Sequence, residues 1–222
     1  VTDDPDTPAN GHWEINLASI GSHTRQRWDI AAFDADINYG YGDHVQLKLD
    51  VPWMYVRQSG YPARNGLGAA DIGVKWRFID MDDAHRFALS TYPQMLSTWS
   101  RYSRRKDIAP SDKAYYLPIE AATAIGGFGL AMEAGRNFVQ RQPDEWQLGV
   151  ATAHACGNDG IECLVELHRT WARHDSQTLF NMGLRYRLGS TMTLLASAGR
   201  EFGPSSGSQQ RFAYYFGLQL TR

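Results

Sequence analysis

The sequence predicts an all-β fold, a closed antiparallel up-and-down transmembrane β-barrel of about twelve strands with short periplasmic turns and longer extracellular loops. Three observations lead there. The first is strict alternation. Residues 28–57 read WDIAAFDADINYGYGDHVQLKLDVPWMYVR, with Ala31, Phe33, Ala35, Ile37 and Tyr39 on one parity and Asp34, Asp36 and Asn38 between them. Gly40-Tyr41-Gly42-Asp43 turns the chain, and the return run sets Val45, Leu47, Leu49, Val51, Trp53 and Tyr55 against Gln46, Lys48 and Asp50. Such alternation is strand period, not helix period. One face is apolar and the other ionised, as expected of a wall with lipid outside and polar packing inside. A soluble sandwich would send its charges to bulk water and cover its apolar face with a second sheet. The second observation is that no run of eighteen apolar residues exists and mean hydropathy is −0.44, while aromatics reach 12%. This removes a transmembrane helix but not barrel strands, whose two-residue period escapes hydropathy windows. The third is that tight turns and longer polar connections alternate along the chain.

Taken in order, residues 12–23 form a first strand, with Trp13, Ile15 and Leu17 opposite Glu14 and Asn16. Residues 28–39 and 45–57 are the second and third. Residues 59–70, rich in Gly, Pro and small side chains, are a loop. Residues 71–78 alternate Ile72, Val74, Trp76 and Phe78 with Gly73, Lys75 and Arg77 as strand four. Residues 86–96 are strand five, and Pro93 places a bulge or strand end within it. Residues 100–113 carry Arg101, Arg104, Arg105 and Lys106 and read as a long exposed loop. Strands follow at residues 115–124, 128–138, 146–156, 161–171, 178–188, 192–201 and 212–221. The total is even, so both termini fall on the periplasmic side, and lipid demands closure because an open edge would leave backbone groups unpaired.

The 222 residues (25.0 kDa) fit one domain, 1–222, with 1–11 as an N-terminal periplasmic segment. A net charge of −2 gives no nucleic-acid footprint. The chain starts at Val1 without Met, which fits either a removed secretory signal or trimming. The expected location is therefore the Gram-negative outer membrane, the expected partners its lipid, the barrel-assembly machinery and an unknown small solute, and the expected state a monomer.

The inward parity collects Asp34, Asp36, Lys48, Asp50, Lys75, Arg77, Glu120, Glu133, Glu166, His168, Arg185, Arg187 and Glu201 as lumen-lining residues. They could select solutes as charge rings, or pair across strands and fill the interior. Outward aromatics at strand ends form interfacial girdles: Trp13, Trp28, Trp53, Tyr55, Trp76, Phe78, Trp146, Trp171, Tyr186, Tyr214 and Phe216. Trp28 shares the parity of Asp34 rather than Phe33, so alternation alone leaves its direction open. Cys156 and Cys163 flank Gly157-Asn158-Asp159-Gly160 on one face of one hairpin, which predicts a disulfide in an oxidising compartment. Two ligands do not make a zinc site, and no cofactor is expected.

The segments NYGYGDHVQLKLDVPW, GLGAADIGVKWRFID, ALSTYPQ, RYRLGSTMTLLASAGREF and YYFGLQL resemble bacterial outer-membrane proteins of the MetA-pathway of phenol degradation family. The resemblance runs from about Trp13 to Leu220. It implies a single-chain outer-membrane barrel that passes or binds small, often hydrophobic or aromatic compounds. Such barrels usually finish on an aromatic residue, whereas this chain finishes Leu220-Thr221-Arg222. The expected function is thus channel- or transporter-like. A sealed structural or sensor-like barrel with a salt-bridged interior is the alternative, and a lipid-modifying enzyme ranks third. No enzyme is expected: His154 and His168 are the strand histidines to test for a serine partner, and His174 neighbours Ser176 only in a loop.

Overall fold

The structure is a computed structural model that describes residues 2–157, 160–173, 175–203 and 209–222. The loop pair His174–Ser176 and the middle of the Cys156–Cys163 turn therefore lie partly outside the described residues. Fourteen strand segments form one antiparallel sheet. In chain order they are β1 (Trp13–His23), β2 (Arg27–Tyr41), β3 (Val45–Gln58), β4 (Arg64–Leu67), β5 (Ala70–Ile79), β6 (Phe87–Thr91) and β7 (Gln94–Ser97). After a short helix, α1 (Arg101–Arg105), come β8 (Ala114–Ile125), β9 (Phe128–Val139), β10 (Glu145–Ala155), β11 (Ile161–Trp171), β12 (Ser176–Arg187), β13 (Met192–Phe202) and β14 (Phe212–Thr221). β4 and β5 share one wall position beside β3, and β6 and β7 share one beside β8, so the segments make a twelve-stranded wall. Pairing of β1 with β14 and of β3 with β5 closes the cylinder, as lipid requires.

Three local departures from plain alternation shape the barrel. A register shift between Ala31 and Phe33 inserts one extra residue in β2. Beyond that bulge the inward residues become Ala31, Asp29 and Arg27, and Trp28 turns outward, where it stacks on His23 at 4.3 Å between centroids. The open question of its direction is thereby answered. Second, strand five is broken at Tyr92-Pro93 into β6 and β7, as Pro93 predicts, since a proline cannot donate to the ladder. Tyr92 swings inward there and is 1% exposed. Third, residues 64–67, expected to be loop, extend the wall as β4 against the far half of β3.

Connection lengths differ from end to end less regularly than the sequence suggests. At the end away from the termini, residues 59–69, 98–113 and 203–211 are long, whereas 24–26, 140–144 and 172–175 are tight. Residues 98–113 are not simply exposed. Ser100 caps α1 by accepting from the Ser103 backbone N–H, and Ser103, Ile108 and Ala109 are buried. Ser103 and Ile108 pack on the inner face of β4 at Gly66, so the segment folds into that mouth. Arg27 pairs with Asp107, Arg64 donates to the Lys106 carbonyl at 2.8 Å, and Thr98 to the Pro110 carbonyl at 2.6 Å.

The outer surface carries the apolar parity. Phe33, Trp53, Trp76, Leu117, Ile119, Leu167, Met182 and Phe216 are all exposed, from strands all around the wall. A belt of this kind is stable only against hydrocarbon or a large partner. The buried side chains instead include many charges, the inverse of a water-soluble protein.

Candidate functional site

The N-terminal residues, expected as a periplasmic segment, run into the barrel interior. β1 starts at the terminal end of the cylinder, and residues 9–12 fold over that rim, with Gly11 donating to the Gly40 carbonyl and His12 to the Ala9 carbonyl at 2.9 Å each. Residues 2–8 then cross the lumen. Gly40 makes room for them: a Cβ there would lie 2.2 Å from the Ala9 carbonyl oxygen and 2.3 Å from that of Pro8. Pro5 is fully buried. The physical reason for the inward route is charge. The segment reads Thr2-Asp3-Asp4-Pro5-Asp6-Thr7-Pro8, and the wall it meets presents Lys75 and Arg77.

Lys75 is the centre of that contact and is 1% exposed. Its ammonium lies 3.1 Å from Asp3 and 3.2 Å from Glu120, also bonds the Asp4 carbonyl, and sits 4.6 Å from the centre of the Tyr92 ring. A buried ammonium is tolerable only with such pairing. Around it, Ser90 donates to Glu120 at 2.5 Å and Tyr116 to Glu133. The Tyr116 ring covers Gly135, where a Cβ would come within 2.6 Å. The backbone N–H of Asp3 donates to Glu133 at 3.3 Å and that of Thr2 to Glu166. Asn181 also donates to Glu166, at 3.2 Å. Arg77 reaches Asp6 at 3.7 Å and Asp80 at 2.6 Å near the rim.

A second cluster lines β1–β2–β3–β5. Asp34, Asp36, Asp50 and Asp71 surround one ammonium, Lys48, which pairs with Asp71 at 3.7 Å, and Glu14 stands beyond them beside Asp36. Asn16 donates to Glu14 at 3.2 Å, and Gln46 donates to Asn38 at 2.7 Å and to the Tyr92 hydroxyl at 3.1 Å. This wall carries an excess of acid.

Beside the crossing segment, and bordered by Thr2, lies a cavity of about 900 Å³. Its polar lining includes Asp34, Asp50, Asp71, Glu166, His168 and Arg185, and its apolar lining includes Ala31, Met54, Leu96, Leu179 and Leu195. The site is therefore a lumen with two unlike parts: a salt-bridged crossing against β5, β8 and β9, and a mixed, partly apolar chamber beside it, lined from Arg185 and Leu195 up to Leu96 and Gln210.

The expected lumen residues divide accordingly. Lys75, Glu120, Glu133 and Glu166 hold the crossing segment, and Arg77 meets it at the rim. Asp34, Asp36, Lys48 and Asp50 form the acidic wall, and Asp34 and Asp50 border the chamber together with His168, Arg185 and Glu201. Arg187, the last residue of β12, is exposed at the terminal rim and lines no part of the chamber. Sequence reasoning missed Asp3, Asp4, Asp71, Tyr92 and Tyr116. No local pattern marks the first two: Asp3 and Asp4 precede the first strand among prolines, and the inward face of the strands already carries more acids than bases. Outward, Trp13, Trp53, Tyr55, Trp76, Phe78, Trp146 and Tyr186 are exposed, and Tyr214 lies across Gly21 with its hydroxyl 3.2 Å from Ser19. Trp171 is partly covered beside Trp146, its register partner. Cys156 and Cys163 are joined as a disulfide with Cα atoms 5.8 Å apart. His154 packs against Phe128 at 4.3 Å on the outside, and His168 faces the chamber. Among the described residues neither has a serine in hydrogen-bond contact, and no group of three His, Cys, Asp or Glu could hold a metal ion.

With this geometry the chain falls in the class of outer-membrane-type β-barrels. Solved structures similar to it include an outer membrane channel from Pseudomonas putida F1, 13% identical over the whole of both chains with a TM-score of 0.81. They also include the KdgM porin (11% identical, 93% of this chain and 98% of that one, TM-score 0.65) and the NanC porin (8% identical, 93% and 98%, TM-score 0.62). At these identities the likeness is one of fold. No family model and no curated relative matches the sequence.

Proposed function

We propose that the protein is an outer-membrane channel-like barrel that binds and passes small hydrophobic or aromatic molecules, as the sequence resemblance to the MetA-pathway of phenol degradation family suggests. The observation that carries this reading is the chamber of about 900 Å³ with Met54, Leu96, Leu179 and Leu195 on its wall. An interior meant only to brace the cylinder would be filled by paired charges throughout. Here the pairing is concentrated where residues 2–8 cross, and the chamber beyond is left free for an apolar guest. The fold likeness to a channel and two porins supports the same class.

The sealed-barrel alternative is favoured by one observation, the crossing segment itself, which narrows any water path past Lys75. Reconstitution separates the two. In the proposed reading, vesicles containing the protein accumulate a small aromatic solute faster than empty vesicles, while ion conductance in planar bilayers stays low. If neither solute nor ions cross, the barrel is sealed.

A further inference from the structure

The outward positions of the wall break their apolar rule in one way. Among the described strand residues facing outward, the ionised ones are Arg57 on β3, Arg136 on β9, Arg169 on β11 and Arg200 on β13. All are arginine, and none is Asp, Glu or Lys. All lie within the last four residues of strands that run toward the loop end, opposite the termini. At the terminal end the outward positions hold Trp13, Trp76, Phe78, Phe128, Tyr186 and similar side chains, with no Arg, Lys or acid. Sign and location are thus both one-sided.

Three of these arginines, on β9, β11 and β13, share one flank. Arg136 lies 5.0 Å from the Phe138 ring and 5.3 Å from the Trp146 ring, and pairs with Asp144 at 2.7 Å. Arg200 lies 4.8 Å from the Phe202 ring. Arg169 is exposed and, with Arg173, Leu148, Trp171, Ala172, Asp175 and Ser176, lines a shallow groove of about 470 Å³ on this outer face. The register places Arg169 opposite Leu148, and Trp146 opposite both Arg136 and Trp171, so the basic and aromatic groups occupy adjacent rows. Among the described residues, Arg169, Arg173 and Arg200 have no carboxylate at ion-pair distance.

An arginine on the lipid face is costly at the bilayer midplane and nearly neutral near an interface. That explains why these side chains sit at strand ends, but not why only one end has them. A layer denser in phosphate at that level than at the other does explain it. The guanidinium fork pairs phosphate oxygens through two parallel hydrogen bonds, and its flat face rests on aromatic rings. The outer leaflet of a Gram-negative outer membrane presents phosphorylated sugars joined to several acyl chains, whereas the inner leaflet is phospholipid. We infer that Arg136, Arg169, Arg173 and Arg200 form a docking surface for the phosphorylated glycolipid of the outer leaflet. The phosphates lie on the arginines, and the acyl chains run down past Leu148 and Trp171.

This inference rests on the outer-membrane reading above, and the two can fail separately. The test is native mass spectrometry of the full chain in mild detergent, titrated with three probes: bis-phosphorylated lipid A, the same lipid A with both phosphates removed, and phosphatidylglycerol. Bis-phosphorylated lipid A is expected to bind at least about tenfold more tightly than either other probe, as charge-assisted bidentate pairs imply. The variant R136Q/R169Q/R173Q/R200Q should lose that preference while keeping the slow gel migration of an unheated folded barrel and the wild-type solute uptake. Equal binding of the dephosphorylated lipid or of phosphatidylglycerol to the wild type overturns the inference without reference to any variant. So does a folded variant whose preference is unchanged. A wild-type protein that binds lipid A selectively but moves no solute leaves the docking surface standing and removes the channel reading.

Discussion

At the scale of single residues, Lys75 shows how a charge is made acceptable inside a membrane protein. It is nearly inaccessible, yet carboxylates stand on two sides, a backbone carbonyl on a third and an aromatic ring on a fourth. Removing one member of such a group leaves the others buried and unpaired, which typically costs about 3–5 kcal/mol. K75M should therefore lower unfolding stability by about that amount, measured by urea titration in lipid vesicles, whereas K48M, beside an acidic wall that Lys48 only partly neutralises, should mainly loosen the lumen. An unchanged K75M midpoint would mean that Asp3 and Glu120 find water when the ammonium is gone. Gly40 offers the complementary test, since its missing side chain is the space taken by the Pro8 and Ala9 carbonyls. G40L should dislodge residues 2–8 and expose them to protease added on the terminal side, with no loss of the barrel.

At the scale of elements, two small devices tie the ends of the wall. Asp107, held at φ +52°, turns the chain after α1 and pairs with Arg27 across the mouth. D107A removes the pair but keeps a side chain at an unfavourable dihedral, so amide exchange across residues 100–108 should quicken severalfold, and D107G should quicken it less because glycine adopts that conformation freely. The Cys156–Cys163 bond closes a short loop at the other end. In the chain-entropy account its removal costs about 2 kcal/mol, and C156S/C163S should show this as a lower unfolding midpoint with unchanged solute uptake. The elements also show what alternation records and what it does not. Period two was plain wherever the wall separates lipid from lumen, so the strands of residues 28–57 could be drawn from sequence with their inward Asp34, Lys48 and Asp50. Pro93 announced its break in the ladder. The bulge at Ala31–Phe33 left only a hint, the wrong parity of Trp28, because an extra residue changes phase without changing composition. Residues 2–8 have no period to follow, and nothing local in Asp3-Asp4-Pro5 says that its partners are Lys75 and Glu133, far along the chain.

At the scale of the molecule, closure fixes the direction of the strand side chains, and residues 2–8, which lie off the wall, narrow what remains open. The lumen has two unlike halves because its charges are not evenly matched. The β1–β2–β3–β5 wall is acidic around Lys48, while Lys75 and Arg77 face Asp3, Asp4 and Asp6. Deleting residues 2–8 removes three acids and the obstruction they make, and leaves two bases facing the freed space. The barrel itself should survive, since the ladder from β1 to β14 uses none of those residues. Single-channel conductance of the deleted protein in planar bilayers should rise severalfold over that of the intact chain. The reversal potential in a salt gradient should move toward anion preference, because Lys75 loses Asp3 and keeps Glu120, Arg77 loses Asp6 and keeps Asp80, and the acidic wall is unchanged. A rise in conductance without that move would place the ion path along the acidic wall, away from Lys75. No rise would mean that the loop carrying α1, pinned by Arg27 and Arg64 at the opposite mouth, is the tighter barrier. Combining the deletion with D107A would then be expected to open the path that neither change opens alone.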